Sequence, residues 1–273
     1  MIIIGEKING TIPSVGKAIA ARDEEFIRNL AVREAEGGAN YIDVCASTAP
    51  EIELETLKWL MDIVQDAVET PLSIDSPNVK TILEALPYAK KPGMINSVSE
   101  EAGKADLLFP EIAGTEWRVV ALTCDNNGLP NDPNIKFDIG KTLIEKAKKF
   151  GIALDRLFID PLVTTIGTNS QSLLSFSQAA REIKAAYPEV HIVSGLSNIS
   201  FGMPLRKYIN QAFLVLAMGA GMDAAIIDPT SVDMRTSIYC SELLLGLDRN
   251  AKNYLKANRK GIIGPPKTDA PKA

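Results

Sequence analysis

Residues 41–75 read YIDVCASTAPEIELETLKWLMDIVQDAVETPLSID and contain two short apolar runs separated by a longer amphipathic segment. The run Tyr41–Val44 predicts a buried strand, and Leu72–Ile74 predicts a second one. Between them, residues 52–68 place apolar side chains at the i, i+3, i+4 and i+7 spacing of a helix. A strand, a helix and a second strand in this order form the repeating unit of a parallel sheet.

The same alternation continues in both directions along the chain. Eight apolar runs predict strands: Ile2–Ile4, Tyr41–Val44, Leu72–Ile74, Met94–Ile95, Val119–Leu122, Leu157–Ile159, Ile192–Ser194 and Ala224–Ile227. Helical periodicity follows them, over about residues 23–37, 52–68, 77–86, 100–112, 138–150, 171–186, 204–219 and 232–247. Such units predict an α/β protein whose strands close into a (β/α)₈ TIM barrel. An open dinucleotide-binding sheet is not supported, because the segment GEKING at residues 5–10 lacks the GxGxxG turn.

No linker interrupts the alternation, so we predict a single barrel domain over residues 1–260. Residues 261–273 read GIIGPPKTDAPKA, which has no helical or strand period and is rich in Pro and Lys at its end. This composition predicts a disordered C-terminal tail.

Composition excludes several classes of protein. Hydrophobic residues make up 46% and charged residues 23% of the 273 residues, which is typical of a globular chain. The net charge of −5 gives no broad basic surface for nucleic acid or an anionic membrane. The apolar run Phe213–Met222 is too short to span a bilayer, and Met1–Gly10 lacks a signal-peptide pattern. We therefore expect a cytoplasmic protein with no nucleic-acid or membrane partner.

The available residue types limit the chemistry further. His191 is the only histidine, which removes His-based metal clusters and Ser-His-Asp triads within one chain. Cys45, Cys124 and Cys240 show no CxxC spacing, so neither a zinc site nor a disulfide framework is indicated. An enzyme with this composition works with Asp, Asn, Glu, Ser and backbone groups.

Carboxylates and amides follow nearly every predicted strand, at the end where (β/α)₈ barrels carry their chemistry. The strand-end residues are Glu6 with Asn9, Asp43, Asp75, Asn96, Thr123 with Asp125, Asp160, Ser197 with Asn198, and Asp228. A carboxylate accepts both N–H groups of a planar aminopyrimidinone in a bidentate pair, and an Asn pairs with the remaining edge. Asp75, Asn96 and Asp160 are therefore candidates for binding a pterin ring.

Two alternatives apply to the same residues. Asp and Asn at strand ends are common helix N-caps, and Asp75 before Ser76-Pro77 and Asp160 before Pro161 each look like a turn when taken alone. A carboxylate-bound Mg²⁺ or Ca²⁺ is the second alternative, and it needs several oxygen ligands that converge on one point. We predict no metal site.

Five motifs in this strand order resemble one family. They are Gly5-Glu6-Lys7-Ile8-Asn9, Ile74-Asp75-Ser76 with Asn78, Met94-Ile95-Asn96-Ser97, Ile159-Asp160-Pro161-Leu162 and Gly195-Leu196-Ser197-Asn198. Together they resemble the pterin-binding methyltransferases, and within them the methyltetrahydrofolate:corrinoid protein methyltransferases. These enzymes are also similar to the folate module of cobalamin-dependent methionine synthase. The resemblance spans about residues 1–260.

The resemblance implies a homodimeric TIM barrel that binds tetrahydrofolate or 5-methyltetrahydrofolate in its mouth. It also implies a partner, a corrinoid protein whose cobalamin exchanges a methyl group with N5 of the folate. Asp75, Asn96 and Asp160 match the family's pterin-binding positions, and Asn198 matches the catalytic residue beside N5. Gly195 and Ser197 belong to the same substrate-binding loop, and the nearby strand ends add three further binding candidates: Glu6, Asn9 and Asp43.

The motifs themselves do not decide the direction of methyl transfer. The resemblance favours transfer from methylcobalamin to tetrahydrofolate, in the catabolism of a methylated compound such as glycine betaine. The reverse, acetogenic direction, towards a corrinoid iron–sulfur protein, and a non-catalytic folate-binding module stay open. Dihydropteroate synthase is less well supported, because Ile226-Ile227-Asp228-Pro229 lacks the expected Arg-x-His anion site. The segment 124–137 matches no fixed motif, and its role is left open.

Overall fold

The computed structural model describes residues 1–265, in which eight parallel strands form a barrel surrounded by helices. The strands are β1 Ile2–Asn9, β2 Tyr41–Cys45, β3 Leu72–Asp75, β4 Met94–Val98, β5 Arg118–Leu122, β6 Leu157–Asp160, β7 His191–Ile192 and β8 Ala224–Ile227. The helices are α1 Pro13–Ala21, α2 Glu24–Glu36, α3 Pro50–Ala67, α4 Val79–Ala85, α5 Lys104–Ile112, α6 Pro133–Lys149, α7 Ser172–Ala186, α8 Arg206–Gly219, α9 Val232–Leu244 and α10 Lys252–Arg259. The predicted (β/α)₈ TIM barrel is confirmed.

The strands pair in the order β7-β6-β5-β4-β3-β2-β1-β8, and all of these pairs are parallel. The two edges, β7 and β8, then meet through a few backbone contacts. Ile226 N donates to Ser194 O at 3.0 Å, and Gly195 forms a parallel bridge with Ile226. The barrel is therefore nearly closed, and the seam lies beside the loop that follows β7.

Two helices escape prediction from the sequence, α1 and α10. Each has fewer than ten residues, and α10 buries only Ala257, so neither gives a readable apolar period.

Helix α6 also begins earlier than the predicted residue 138. Pro133 occupies its first turn and the Asp132 side chain accepts from Asn134 N, which is the usual chemistry of a helix start. The preceding loop is correspondingly shorter than predicted.

Apolar side chains fill the interior of the barrel below the C-terminal strand ends. They also pack in the space between the strands and the surrounding helices. The interior cluster consists of Ile4, Tyr41, Met94, Val120, Phe158, Val193 and Ala224. A larger cluster joins the outer faces of the strands to the helices, with Leu57, Leu60 and Phe176 among its fully buried members. Because side chains plug the lower barrel, open space is left at the C-terminal ends of the strands, as expected for this fold.

The folded chain extends past the predicted domain boundary at residue 260. Ile263 is buried, and Arg235 Nε donates to Ile262 O at 3.1 Å. Gly264 N also donates to Thr236 Oγ1 at 3.1 Å, so residues 262–264 contact α9. The remainder of the predicted tail, residues 266–273, lies outside the described residues. Among residues 1–265, no helix is long and apolar enough to cross a membrane.

Candidate functional site

The C-terminal strand ends surround a cavity of about 670 Å³, which we call the mouth. All nine residues predicted to act in binding or catalysis line it: Glu6, Asn9, Asp43, Asp75, Asn96, Asp160, Gly195, Ser197 and Asn198. Parallel strand register explains this convergence, since Cys45 pairs with Asp75 and Asp75 pairs with Asn96 across β2, β3 and β4.

Asp43 and Asp75 form a buried pair of carboxyl groups on one side of the mouth. Ser73 Oγ donates to Asp43 Oδ1 at 2.5 Å, and Asn96 Nδ2 donates to the same oxygen at 3.2 Å. Burial, followed by repulsion from Asp75, raises the pKa of Asp43 well above its usual range. Burial also raises the pKa of Asp75 to about 6, although hydrogen bonds from Cys45 and Asp43 lower it. Of the two carboxyl groups, Asp43 therefore holds a proton more readily, which leaves Asp75 as the carboxylate that can accept from a ligand.

Asp160 closes β6 on the other side of the mouth and is nearly fully buried. Leu162 N donates to Asp160 Oδ1 at 2.7 Å, and burial raises the pKa of Asp160 to about 7. Lys136 from α6 partly offsets that increase through its positive charge. The Lys136 ammonium, itself buried, donates to Leu162 O at 2.9 Å, and burial lowers its pKa to about 8.

Asn198 stands on a short 3₁₀ turn, Leu196–Ser200, that follows the barrel seam. Its side chain is exposed at the mouth, and a Cβ on Gly195 would lie 3.2 Å from Asn198 Nδ2. Arg206 fixes the turn from α8, because its Nη2 donates to Ser197 O at 2.8 Å and its Nε to Ser200 Oγ at 3.1 Å. The Asn198 side chain therefore extends from a turn that Arg206 fixes, and it remains exposed in the mouth.

Glu6 and Asn9, both from β1, complete the wall next to this turn. Burial raises the pKa of Glu6 to about 7, against the attraction of Lys7 and Arg206. Asn9 Oδ1 accepts from Thr11 N at 2.9 Å and from Thr11 Oγ1 at 2.7 Å. These bonds use the oxygen of the Asn9 amide and leave its nitrogen out of the contact with Thr11.

Three strand-end candidates do not line the mouth. Asp125 Oδ1 accepts from Asn127 N at 2.8 Å, and Asp228 Oδ1 accepts from Thr230 N at 2.9 Å, so both make local turns. Thr123 is fully buried behind β5. For these residues the turn or packing alternative describes the structure.

Several mouth residues have no role in the sequence-based hypothesis. Asn210 contributes an amide from the second turn of α8, and Leu122, Leu162 and Ile226 supply apolar surface. Glu34 and Lys136 are buried outside the mouth and contact two residues that line it, through Lys7 N and Leu162 O. Glu34 does carry a signal, because it falls on the apolar helix stripe of Ile27, Leu30 and Ala31, where a charged residue is unusual.

The mouth suits a flat, neutral heterocycle with several N–H donors. Its acceptors are partly desolvated carboxylates, which bind such donors more strongly than exposed ones do. Within the described part of the chain, the buried Oδ1 of Asn210 has no hydrogen-bond partner, as expected for a group that a ligand satisfies. Over the same residues, no group of three or more His, Cys, Asp or Glu is placed to hold a metal ion.

Fold and mouth together define a class of protein, the barrel enzymes that bind pterins. Residues 5–228 match the family model described as "Pterin binding enzyme", and the chain belongs to this family. A solved structure of dihydropteroate synthase from Clostridium difficile has the same fold, with a TM-score of 0.71 at 18% identity over 89% of this chain and 96% of that one.

Proteins of similar sequence indicate which pterin-binding enzymes this chain resembles most. The chain is 54% identical over 267 residues to "Methylcorrinoid:tetrahydrofolate methyltransferase" of Eubacterium limosum, an alignment that covers 97% of this chain and 98% of that protein. It is also 28% identical over 245 residues to "Methionine synthase" of Mycobacterium leprae, covering 85% of this chain and 20% of the much longer relative. The resemblance inferred from the five motifs is therefore confirmed.

Proposed function

We propose that this enzyme transfers a methyl group between the cobalt of a corrinoid protein and N5 of tetrahydrofolate. The convergence of Asp75, Asn96, Asp160 and Asn198 on one open mouth is the observation that carries the proposal. The 54% identity to a methylcorrinoid:tetrahydrofolate methyltransferase along almost the whole chain supports it. That relative's name also supports the favoured direction, towards methyltetrahydrofolate.

Recognition of the pterin falls to the two carboxylates and the amide. Asp160 accepts from the aminopyrimidinone N–H groups in the charge-assisted pair that the sequence predicts. Asp75 and Asn96 bind the remaining edge, and Asp43 keeps both in place through its hydrogen bonds to them. Gly195 and Ser197 provide backbone at close range on the N5 side of the ring.

Asn198 acts on N5 itself. In the favoured direction its carbonyl oxygen accepts from the N5–H group of tetrahydrofolate while the nitrogen lone pair attacks the methyl carbon of the partner's methylcobalamin. The cobalt–carbon bond breaks, and its electron pair stays with the cobalt. The N5 proton must then leave, and Glu6, whose pKa burial raises to about 7, is poised to hold it. In the opposite direction the Asn198 amide donates to N5 as the methyl group departs, and protonated Glu6 returns the proton that N5 gains.

The chain supplies no nucleophile of its own, and it does not need one. The corrinoid of the partner supplies the methyl group or accepts it, so this protein must position N5 and leave it accessible. Exposed apolar side chains flank Asn198, with Phe201 and Leu205 at 70% and 74% exposure. Large exposed apolar groups beside a site are typical of protein contacts, which supports docking of a corrinoid protein at this rim.

The proposal includes three further expectations from the resemblance. The methyl group originates from a methylated compound such as glycine betaine, the protein works in the cytoplasm, and it forms a homodimer. The outer surface of α8 and the end of α9 support dimer formation, because Val215, Leu216 and Leu244 are exposed there without covering chain in the described residues.

An absorbance assay tests the proposed activity. Methylcobalamin-loaded corrinoid protein is mixed with tetrahydrofolate and this enzyme, and demethylation of the cobalt is followed by its spectrum while methyltetrahydrofolate is measured by chromatography. We expect both changes to depend on enzyme and folate. Folate binding with no spectral change in either direction would indicate a non-catalytic folate-binding module.

A further inference from the structure

Strand β1 contains a bulge at Glu6 and Lys7. Gly5 pairs with Ile42 and Ile8 pairs with Val44, so β1 carries one residue more than β2 between these pairs.

The bulge changes which side of the barrel each β1 side chain faces. Alternate residues of a regular strand share a face, yet Ile4 belongs to the interior cluster and Ile8 to the outer one. Glu6 and Lys7 are adjacent, and both line the mouth. Asn9 also lines it, three positions after Glu6, which an unbroken period of two does not allow.

The carboxyl group of Glu34, on helix α2 outside the barrel, lies at the β1 bulge. Glu34 on α2 is fully buried, and its Oε1 accepts from Lys7 N at 2.9 Å. This bond satisfies a backbone amide at the point where the ladder to β2 is interrupted. Among residues 1–265, Glu34 Oε2 has no hydrogen-bond partner, so Lys7 N is the contact that accounts for the carboxyl group's placement.

Gly5 is required for this contact. A Cβ at position 5 would lie 2.5 Å from Glu34 Oε1 and 2.7 Å from its carboxyl carbon. Any side chain there forces the Glu34 carboxyl group out of its place. Gly5 and Glu34 therefore form one unit, although one belongs to the strand and the other to the helix.

We propose that Glu34 is a positioning residue whose carboxyl group holds the β1 bulge and thereby directs Glu6 and Asn9 into the mouth. Its consequence for methyl transfer rests on the proposed function. Nothing in this role requires Glu34 to touch substrate, since it does not line the mouth.

Four variants and one control separate this role from general stability. Glu34→Ala leaves Lys7 N without its acceptor and should lower kcat/KM about 10²-fold, the effect of a displacement near 1 Å at a reacting centre. Glu34→Gln keeps the accepting oxygen and should restore most of the activity, since burial raises the Glu34 pKa to about 8 and the wild-type group is largely neutral. Glu36→Ala, on an exposed position of the same helix, should have no effect.

The Gly5 variants test the coupling. Gly5→Ala should reproduce the loss seen in Glu34→Ala, because the added methyl group displaces the carboxyl group. The double variant Gly5→Ala/Glu34→Ala should be no worse than Glu34→Ala alone, since the clash has been removed. Independent, additive losses would overturn the proposal.

Amide exchange at Lys7 gives a readout that does not depend on activity. Its hydrogen should exchange much faster in Glu34→Ala than in wild type, while Glu34→Gln keeps it protected. Unchanged protection together with unchanged tetrahydrofolate affinity by calorimetry would overturn the proposal. If the wild-type protein neither binds folate nor transfers a methyl group, the proposed function fails, and the exchange result still decides the role of Glu34.

Discussion

The carboxamide of Asn198 lies against Gly195, with Nδ2 3.2 Å from the position that a Cβ on that glycine would take. A methyl group on residue 195 would move the Asn198 amide by a few tenths of an ångström. Gly195 thus controls the position of the side chain that we place beside N5.

Gly195→Ala should therefore slow methyl transfer while the fold persists. The displaced Asn198 amide loses its alignment with N5, and we expect a fall in kcat of about 10-fold to 10²-fold with a small change in folate affinity. Steady-state kinetics and thermal unfolding are the measurements. Gly219→Ala, at the exposed end of α8 where an added Cβ meets no atom within 4 Å, is the matched control. An unchanged kcat in Gly195→Ala would show that the contact has no catalytic role.

Asn198→Ala should slow transfer far more than it weakens binding. Removal of one hydrogen-bonding group that acts on developing charge costs about 10²–10³-fold in kcat. Calorimetry with tetrahydrofolate and single-turnover transfer separate the two quantities. Equal losses in affinity and rate would instead make Asn198 a binding residue.

Tetrahydrofolate affinity should increase with pH up to about 7 and then level off. The ring N–H groups need the ionised form of Asp160, and burial raises the pKa of this carboxyl group to about 7. Each pH unit below that value should lower affinity about tenfold. Calorimetric titrations between pH 5 and 9 supply the profile, and a flat profile would contradict the role of Asp160.

Lys136→Met should move that pH profile to higher values. The buried ammonium lowers the Asp160 pKa, so its removal makes the carboxyl group harder to ionise. Lys141→Met, at an exposed position of the same helix, is the matched control. If both variants keep the wild-type midpoint, Lys136 acts on the Leu162 turn alone.

Phe201→Ser should weaken methyl transfer from protein-bound methylcobalamin but not from free methylcobalamin. Phe201 is exposed on the rim, so its loss should raise KM for the corrinoid protein and leave transfer from free methylcobalamin unchanged. Leu255→Ser provides the control, because Leu255 is exposed on α10, a helix that lines a cavity together with Met1 and Ile3 at the start of β1. Equal effects with both methyl donors would place the docking surface elsewhere.

The barrel could be read from the sequence because its strands and helices have different periods. Short apolar runs such as Tyr41–Val44 and helical stripes such as 52–68 repeat in strict alternation, and that order specifies the fold. Helices α1 and α10 escaped because each is short, and the start of α6 escaped because its first turn is polar. Boundaries of this kind depend on capping more than on apolar period.

The mouth could be predicted for residues that end a strand, since parallel strands bring their C-terminal ends to one edge. Residues behind that edge could not. Lys136 on α6 donates to Leu162 O, which lies 26 residues further along the chain, and no local sequence pattern indicates that contact. The β1 bulge likewise depends on a glutamate from α2, so the shared orientation of Glu6 and Lys7 is a tertiary effect.

One titration tests the central claim most directly. Tetrahydrofolate is titrated into the wild-type protein and into Asp160→Asn at pH 8, with thermal unfolding measured on both samples. We expect wild-type binding, and at least a 10²-fold loss in a variant that remains folded, because the amide cannot accept both N–H groups of the ring. Equal affinity in the two folded proteins would contradict the assignment of this mouth as a pterin site.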